Sequence, residues 1–145
     1  MIYSPTCQHA LRALIYLAGR PPGDPVLVRE IAARSSVPRQ SLSKILHGLQ
    51  RKKLVHSTRG PGGGYRLSRP ADEIKLLDII QAVDGVVGVE EVCVLGLNEC
   101  SDESRCALHD YWKEFREMYS RTVATMTLEE AAENVARKQQ NQEAR

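Results

Sequence analysis

The chain has 145 residues, 42% hydrophobic and 26% charged, a globular composition sized for one large domain or a small domain with an appendage. Its net charge of +2 hides a polarity: residues 1–75 hold 13 Lys and Arg against 4 Asp and Glu (+9), and residues 76–145 hold 7 against 14 (−7). There is no basic lead-in to an apolar segment, and the longest apolar run, Ala13 to Ala18, is too short to span a bilayer. A cytoplasmic protein with no membrane partner is expected.

Ala10, Leu11, Leu14, Ile15 and Ala18 recur at helical spacing, so a first helix is predicted that stops at Gly19 before Pro21, Pro22 and Gly23. Val28, Ile31 and Ala32 mark a short second helix, broken by Ser35 and Ser36. Pro38 opens a third that runs to about Lys53. Two helices joined by so tight a turn suggest a helix-turn-helix. In the third, Leu42, Ile45, Leu46 and Leu49 form the inward stripe, leaving Gln40, Ser43, Lys44 and His47 outward with Arg39 at the start. These are residue types that read a DNA groove, although any solvated helix face carries similar ones.

Leu54-Val55-His56 and Tyr65-Arg66-Leu67 read as two short strands around Arg59, Gly60, Pro61, Gly62, Gly63 and Gly64, a hairpin wing with a glycine-rich tip. Its glycines permit close backbone approach to a phosphate or a minor groove, and Arg59 and Arg66 supply charge. Neither dinucleotide nor P-loop spacing is present, which argues against a nucleotide site.

Leu76, Leu77, Ile79, Ile80 and Val83 predict a compact fourth helix ending at Asp84-Gly85. The run CVLGLNECSDESRCALHDYW follows, with Cys93, Cys100 and Cys106 spaced Cys-x6-Cys-x5-Cys and His109 three residues on. Thiolates ligate soft metals and iron–sulfur clusters, and a reducing compartment disfavours structural disulfides, so the triplet reads as a metal or cluster site. From Cys106 onward, Leu108, Trp112, Phe115, Tyr119, Val123 and Met126 form one helical stripe, widened by Tyr111 and Met118. Such a stripe needs a partner surface, either the chain's own core or a second copy. A short final helix is expected from Leu128 to Val135, with KQQNQEAR beyond Arg137 frayed.

The run RGPGGGYRLSRP after a helix-turn-helix, then IKLLDIIQAVDG, then three cysteines before a helix, resembles the Rrf2 family of bacterial winged-helix transcription regulators. The likeness runs from Tyr3 to about Leu128 and in pattern is to the cluster-binding members. It implies a mainly α fold with a small β-hairpin wing, a winged helix-turn-helix plus a long dimerisation helix. Residues 1–84 would be the DNA-binding domain, 85–105 the cluster-binding loop, and 106–145 the dimerisation helix and tail. It implies a homodimer, not an enzyme, that binds a double-stranded DNA operator. The recognition helix would span Pro38 to Lys52 and the wing Arg59 to Tyr65. The DNA-binding residues would be Arg39, Gln40, Ser41, Ser43, Lys44, His47, Arg59, Gly60, Pro61, Gly62, Gly63 and Tyr65.

The resemblance also implies that Cys93, Cys100 and Cys106 hold a 2Fe-2S or 4Fe-4S cluster that senses redox, iron or nitric oxide status. The first interval is one residue longer here than in most cluster-binding relatives, an insertion that an irregular loop absorbs cheaply. A fourth ligand is then required. His109 matches a histidine ligand of some members and, in a helix begun at Cys106, would share a face with it. Cys7 competes, because some members reach across the dimer with an acidic ligand near its position, where this chain has Gln8. A thiol–disulfide switch and a structural zinc site are the alternatives to a cluster. A change at the cluster would reorder the loop from about Glu90 to Arg105.

Overall fold

The computed structural model describes residues 2–85, 93–97 and 100–144. Glu90 and Asn98, part of the expected cluster loop, lie outside the described residues.

Helix α1 (Pro5–Ala18) starts where sequence chemistry favours it: Pro5 occupies the first turn and the Ser4 hydroxyl accepts the Cys7 amide at 3.0 Å. It buries Cys7, Ala10, Ala13, Leu14 and Leu17 on one face. Helix α2 (Val28–Ser35) ends because Ser36 turns left-handed, φ 54°, and α3 (Arg39–Arg51) begins just after Pro38. Together they form the helix-turn-helix. The expected end of α3 near Lys53 is two residues too late. Lys53 is left-handed, φ 60°, and the Leu54 amide returns to the Leu49 carbonyl at 3.0 Å, closing the helix at Arg51.

Strands β1 (Val55–Thr58) and β2 (Gly64–Leu67) pair antiparallel, from Val55 opposite Leu67 to Thr58 opposite Gly64. A third extended segment joins them. Val26 and Tyr65 exchange both backbone hydrogen bonds at 2.8 Å, which ties the wing to the connection before α2. A single-residue bridge has no period, so no sequence pattern announces it. A 3₁₀ turn (Ala71–Glu73) then leads into α4 (Leu76–Asp84).

Leu14, Ile31, Leu42, Leu46, Leu49, Ile74, Ile79 and Leu128 are fully buried in one core. Each such side chain contributes about 1.5 to 3 kcal/mol by leaving water. Leu128 reaches this core from the far end of the chain, on α6 (Leu128–Glu143), which packs against α1. The expectation of a frayed KQQNQEAR segment is therefore corrected: α6 runs to Glu143. Thr127 and Glu130 form a reciprocal capping box, Leu128 and Ala131 dock, and the Ala, Glu, Lys and Gln that follow are strong helix formers.

Helix α5 (His109–Thr125) also departs from expectation, because it starts at His109 and not at Cys106. Residues 101–104 close a tight turn in which Ser101 and Ser104 exchange backbone hydrogen bonds at 3.1 Å, and the first helical bond runs from the Trp112 amide to the Leu108 carbonyl at 2.9 Å. Cys106 and His109 therefore do not share a helical face. The C-terminal half of α5 packs Tyr119 and Val123 beside Cys7, Ile80 and Tyr3. Trp112, Phe115 and Tyr119 stack in series, at 5.3 and 6.0 Å between ring centroids, while Leu108, Tyr111 and Met118 stay exposed. No helix among the described residues is long and apolar enough to cross a membrane.

Candidate nucleic-acid interface and metal centre

The core-facing stripe of α3 turns Arg39, Gln40, Ser41, Ser43, Lys44 and His47 outward, and all six are exposed. At the wing tip Arg59, Gly60, Pro61 and Gly62 are exposed, but Gly63 is buried and Tyr65 half-buried. A Cβ on Gly63 would sit 2.2 Å from the Thr58 carbonyl oxygen, and one on Gly64 would sit 2.2 Å from that of Val26. These two glycines serve the packing of the hairpin on itself and on Val26. Close approach to an external phosphate is open only to the outer pair, Gly60 and Gly62. Among the described residues no ion pair engages Arg39, Lys44 or Arg59, whereas Arg69 is held by Asp78 at 3.0 Å.

On the opposite-charge half of the chain, the sulfurs of Cys93, Cys100 and Cys106 lie within 4.8 Å of one another. Cys93 and Cys106 are 3.8 Å apart and Cys100 and Cys106 3.5 Å apart, all free thiols. Two thiolates on one tetrahedral metal lie roughly 3.8 Å apart, given metal–sulfur bonds of about 2.3 Å. The Leu97 amide, helped by that of Leu95, lowers the Cys93 pKa despite burial. That of Cys106 is raised: the Leu108 amide lowers it, but burial and the neighbouring thiols Cys100 and Cys93 outweigh that. Thiolate character therefore begins at Cys93.

His109 joins the thiols through Cys100. Its ring is 5% exposed, with Nδ1 3.0 Å from the Cys100 sulfur and Nε2 3.1 Å from Asp102 Oδ1. Lys113 holds both oxygens of Asp102, at 2.8 and 3.0 Å, and with His109 keeps that carboxyl ionised down to about pH 2. Arg105 ties the same turn to α5, its Nε donating to the Asp102 carbonyl at 2.9 Å and its guanidinium pairing Asp110 at 3.1 Å. Sequence reasoning missed Asp102 and Lys113. Lys113 was findable, being one helical turn after His109, but Asp102 depends on the loop's path.

Cys7 is not with the other thiols. It is fully buried beside Ile80 and Val123, and burial, reinforced by Asp84, pushes its pKa up to about 12. A thiol held so firmly protonated is a poor ligand. Among the described residues the three grouped thiols, with the His109 imidazole against Cys100, form a donor set that fits soft-metal or iron–sulfur ligation.

A helix-turn-helix with a wing and an exposed basic face, joined to a separate thiol centre, defines a winged-helix regulator of transcription. Residues 3–134 match the Rrf2 family, described as iron-dependent transcriptional regulators, and the chain belongs to that family, whose members bind DNA. An HTH-type transcriptional regulator of Aquifex aeolicus is 37% identical over 118 residues, 80% of this chain and 81% of that one. The transcriptional regulator IscR of Xenorhabdus nematophila is 31% identical over 127 residues, 88% of this chain and 76% of its own. Among solved structures, CymR, the global cysteine regulator of Bacillus subtilis, superposes with a TM-score of 0.73 at 25% identity, covering 90% of this chain and 95% of its own.

Proposed function

We propose that this chain is a homodimeric regulator that binds a double-stranded operator through α3 and the wing, its DNA affinity set by an iron–sulfur cluster. Cys93, Cys100 and Cys106 hold the cluster, with His109 as the fourth ligand. The convergence of three thiols within 4.8 Å carries this reading. Gln40, Ser43 and Lys44 touch base edges, while Arg39, Arg59 and Arg66 contact phosphate or the minor groove. Tyr111 and Met118, the apolar side chains that α5 leaves exposed, meet their counterparts in a second copy, which places two recognition helices on half-sites one helical turn apart, about 34 Å. Events at the thiols reach α5 through Asp102–Lys113 and Arg105–Asp110, and α5 reaches the DNA-binding core through α4.

A second reading is a metal-free thiol switch or a zinc site on the same residues. The 3.5 Å separation of the Cys100 and Cys106 sulfurs favours the thiol switch, since a small movement, with an oxidant to take up the two electrons, would bring them to a disulfide bond of about 2.05 Å. So does the likeness to CymR.

Purification without oxygen decides between them. Iron and sulfide in equal amounts with a visible chromophore, lost in Cys93→Ser, Cys100→Ser and Cys106→Ser, is the expected result. Colourless protein with one zinc per chain, or with none and a reversible disulfide, selects the second reading. Operator binding should weaken with salt at about −0.9 log units per phosphate contact, and a flat response would exclude DNA recognition.

A further inference from the structure

We propose that Asp102 is a positioning residue for the metal centre: it holds His109 Nε2–H and so turns Nδ1, not Nε2, to the thiols as the ligating nitrogen. This rests on the cluster reading above. The ring of His109 is 5% exposed, so both nitrogens need partners. The partners shown are Cys100 at Nδ1, 3.0 Å, and Asp102 at Nε2, 3.1 Å. Both Asp102 oxygens already accept from the Lys113 ammonium, so Oδ1 faces His109 as an acceptor, Nε2 donates to it, and the Nδ1 lone pair is left facing the Cys100 sulfur.

Asp102 is itself fixed twice. Lys113 grips both carboxylate oxygens, at 2.8 and 3.0 Å, and Arg105 binds its backbone carbonyl at 2.9 Å. Lys113 and His109 are one turn apart on α5, so the same helix supplies the ligand and the clamp on its orienting carboxylate. Partners of this kind set the ring orientation of metal-bound histidines, and their loss typically lowers metal affinity about 10- to 100-fold.

The test uses cluster-loaded full chain carrying histidine labelled with ¹⁵N at Nδ1 or at Nε2, read by pulsed EPR of the reduced cluster, with His109→Ala assigning the signal. Strong coupling from the Nδ1 label alone is expected. Asp102→Ala should weaken that coupling and lower iron affinity about 10- to 100-fold, while Asp102→Asn, which keeps an acceptor oxygen, should retain the Nδ1 coupling. Coupling from Nε2, or an Asp102→Ala protein with unchanged coupling and iron affinity, overturns the proposal. A cluster with no nitrogen coupling overturns it and leaves the cluster reading standing. A chain that takes up no iron overturns both.

Discussion

The backbone amide and the hydroxyl of Ser4 both donate to the carboxylate of Asp84, 80 residues away in sequence. Ser4 caps α1 and Asp84 is the last residue of α4, so one carboxylate joins two helix ends and places negative charge at the N-terminus of α1. Asp84→Ala should cost about 1 to 2 kcal/mol, measured by urea unfolding at neutral pH. An unchanged midpoint would mean that the pair contributes nothing.

Two neighbouring glycines of the wing should respond differently to the same substitution. Gly64→Ala forces a Cβ to within 2.2 Å of the Val26 carbonyl oxygen and must break the Val26–Tyr65 pairing, at roughly 2 kcal/mol or more. Gly62→Ala meets open space and bears only the strain of φ +74°, about 1 kcal/mol. Denaturation midpoints of the two variants check the order, and equal losses would refute the close approach at Gly64.

The capping box of α6 predicts a pH dependence. Hydrogen bonds from the Thr127 amide and hydroxyl, with Lys75 nearby, hold the Glu130 pKa below its ordinary 4.5. A depressed carboxyl contributes stability above the unfolded pKa and loses it as pH falls through the folded one. Glu130→Gln should therefore melt below the parent at pH 7, with the gap closing at pH values below 4.5. A gap that persists in acid would place the effect elsewhere.

Cys7 and the other cysteines should separate cleanly. Cys7→Ser puts a hydroxyl at a fully buried site and should cost about 1 to 3 kcal/mol while leaving bound iron unchanged. Cys100→Ser should do the reverse, losing iron with little change in the stability of the metal-free chain. Iron content and melting temperature of both proteins provide the comparison.

On DNA, Arg59→Ala should weaken binding evenly across sequences and reduce the salt slope by about 1. Lys44→Ala should cost about 1 to 3 kcal/mol on the operator and much less on unrelated duplex. Titrations at several salt concentrations with both duplexes test the assignment, and it fails if the two variants behave alike.

Much of this molecule is written in short-range pattern. The apolar period of α1 to α4, the Ser36 break, the glycine run of the wing and the cysteine spacing all act through neighbours within a few residues. Helix stripes and turn chemistry therefore identified the helix-turn-helix, the wing and the thiol-bearing loop before any packing was known. Tertiary structure decided what needs distant partners. Docking of Leu128 and Ala131 on the core extended α6 over a polar tail, pairing of Val26 with Tyr65 pressed Gly64 against the Val26 carbonyl, and closure of the hairpin pressed Gly63 against that of Thr58. The path of residues 100–106 moved the start of α5 to His109 and brought Asp102 to its ring. The four cysteines show the division most plainly. Composition marks each as a possible ligand, but burial in the core sets Cys7 apart, and the fold brings the sulfurs of the other three within 4.8 Å of one another.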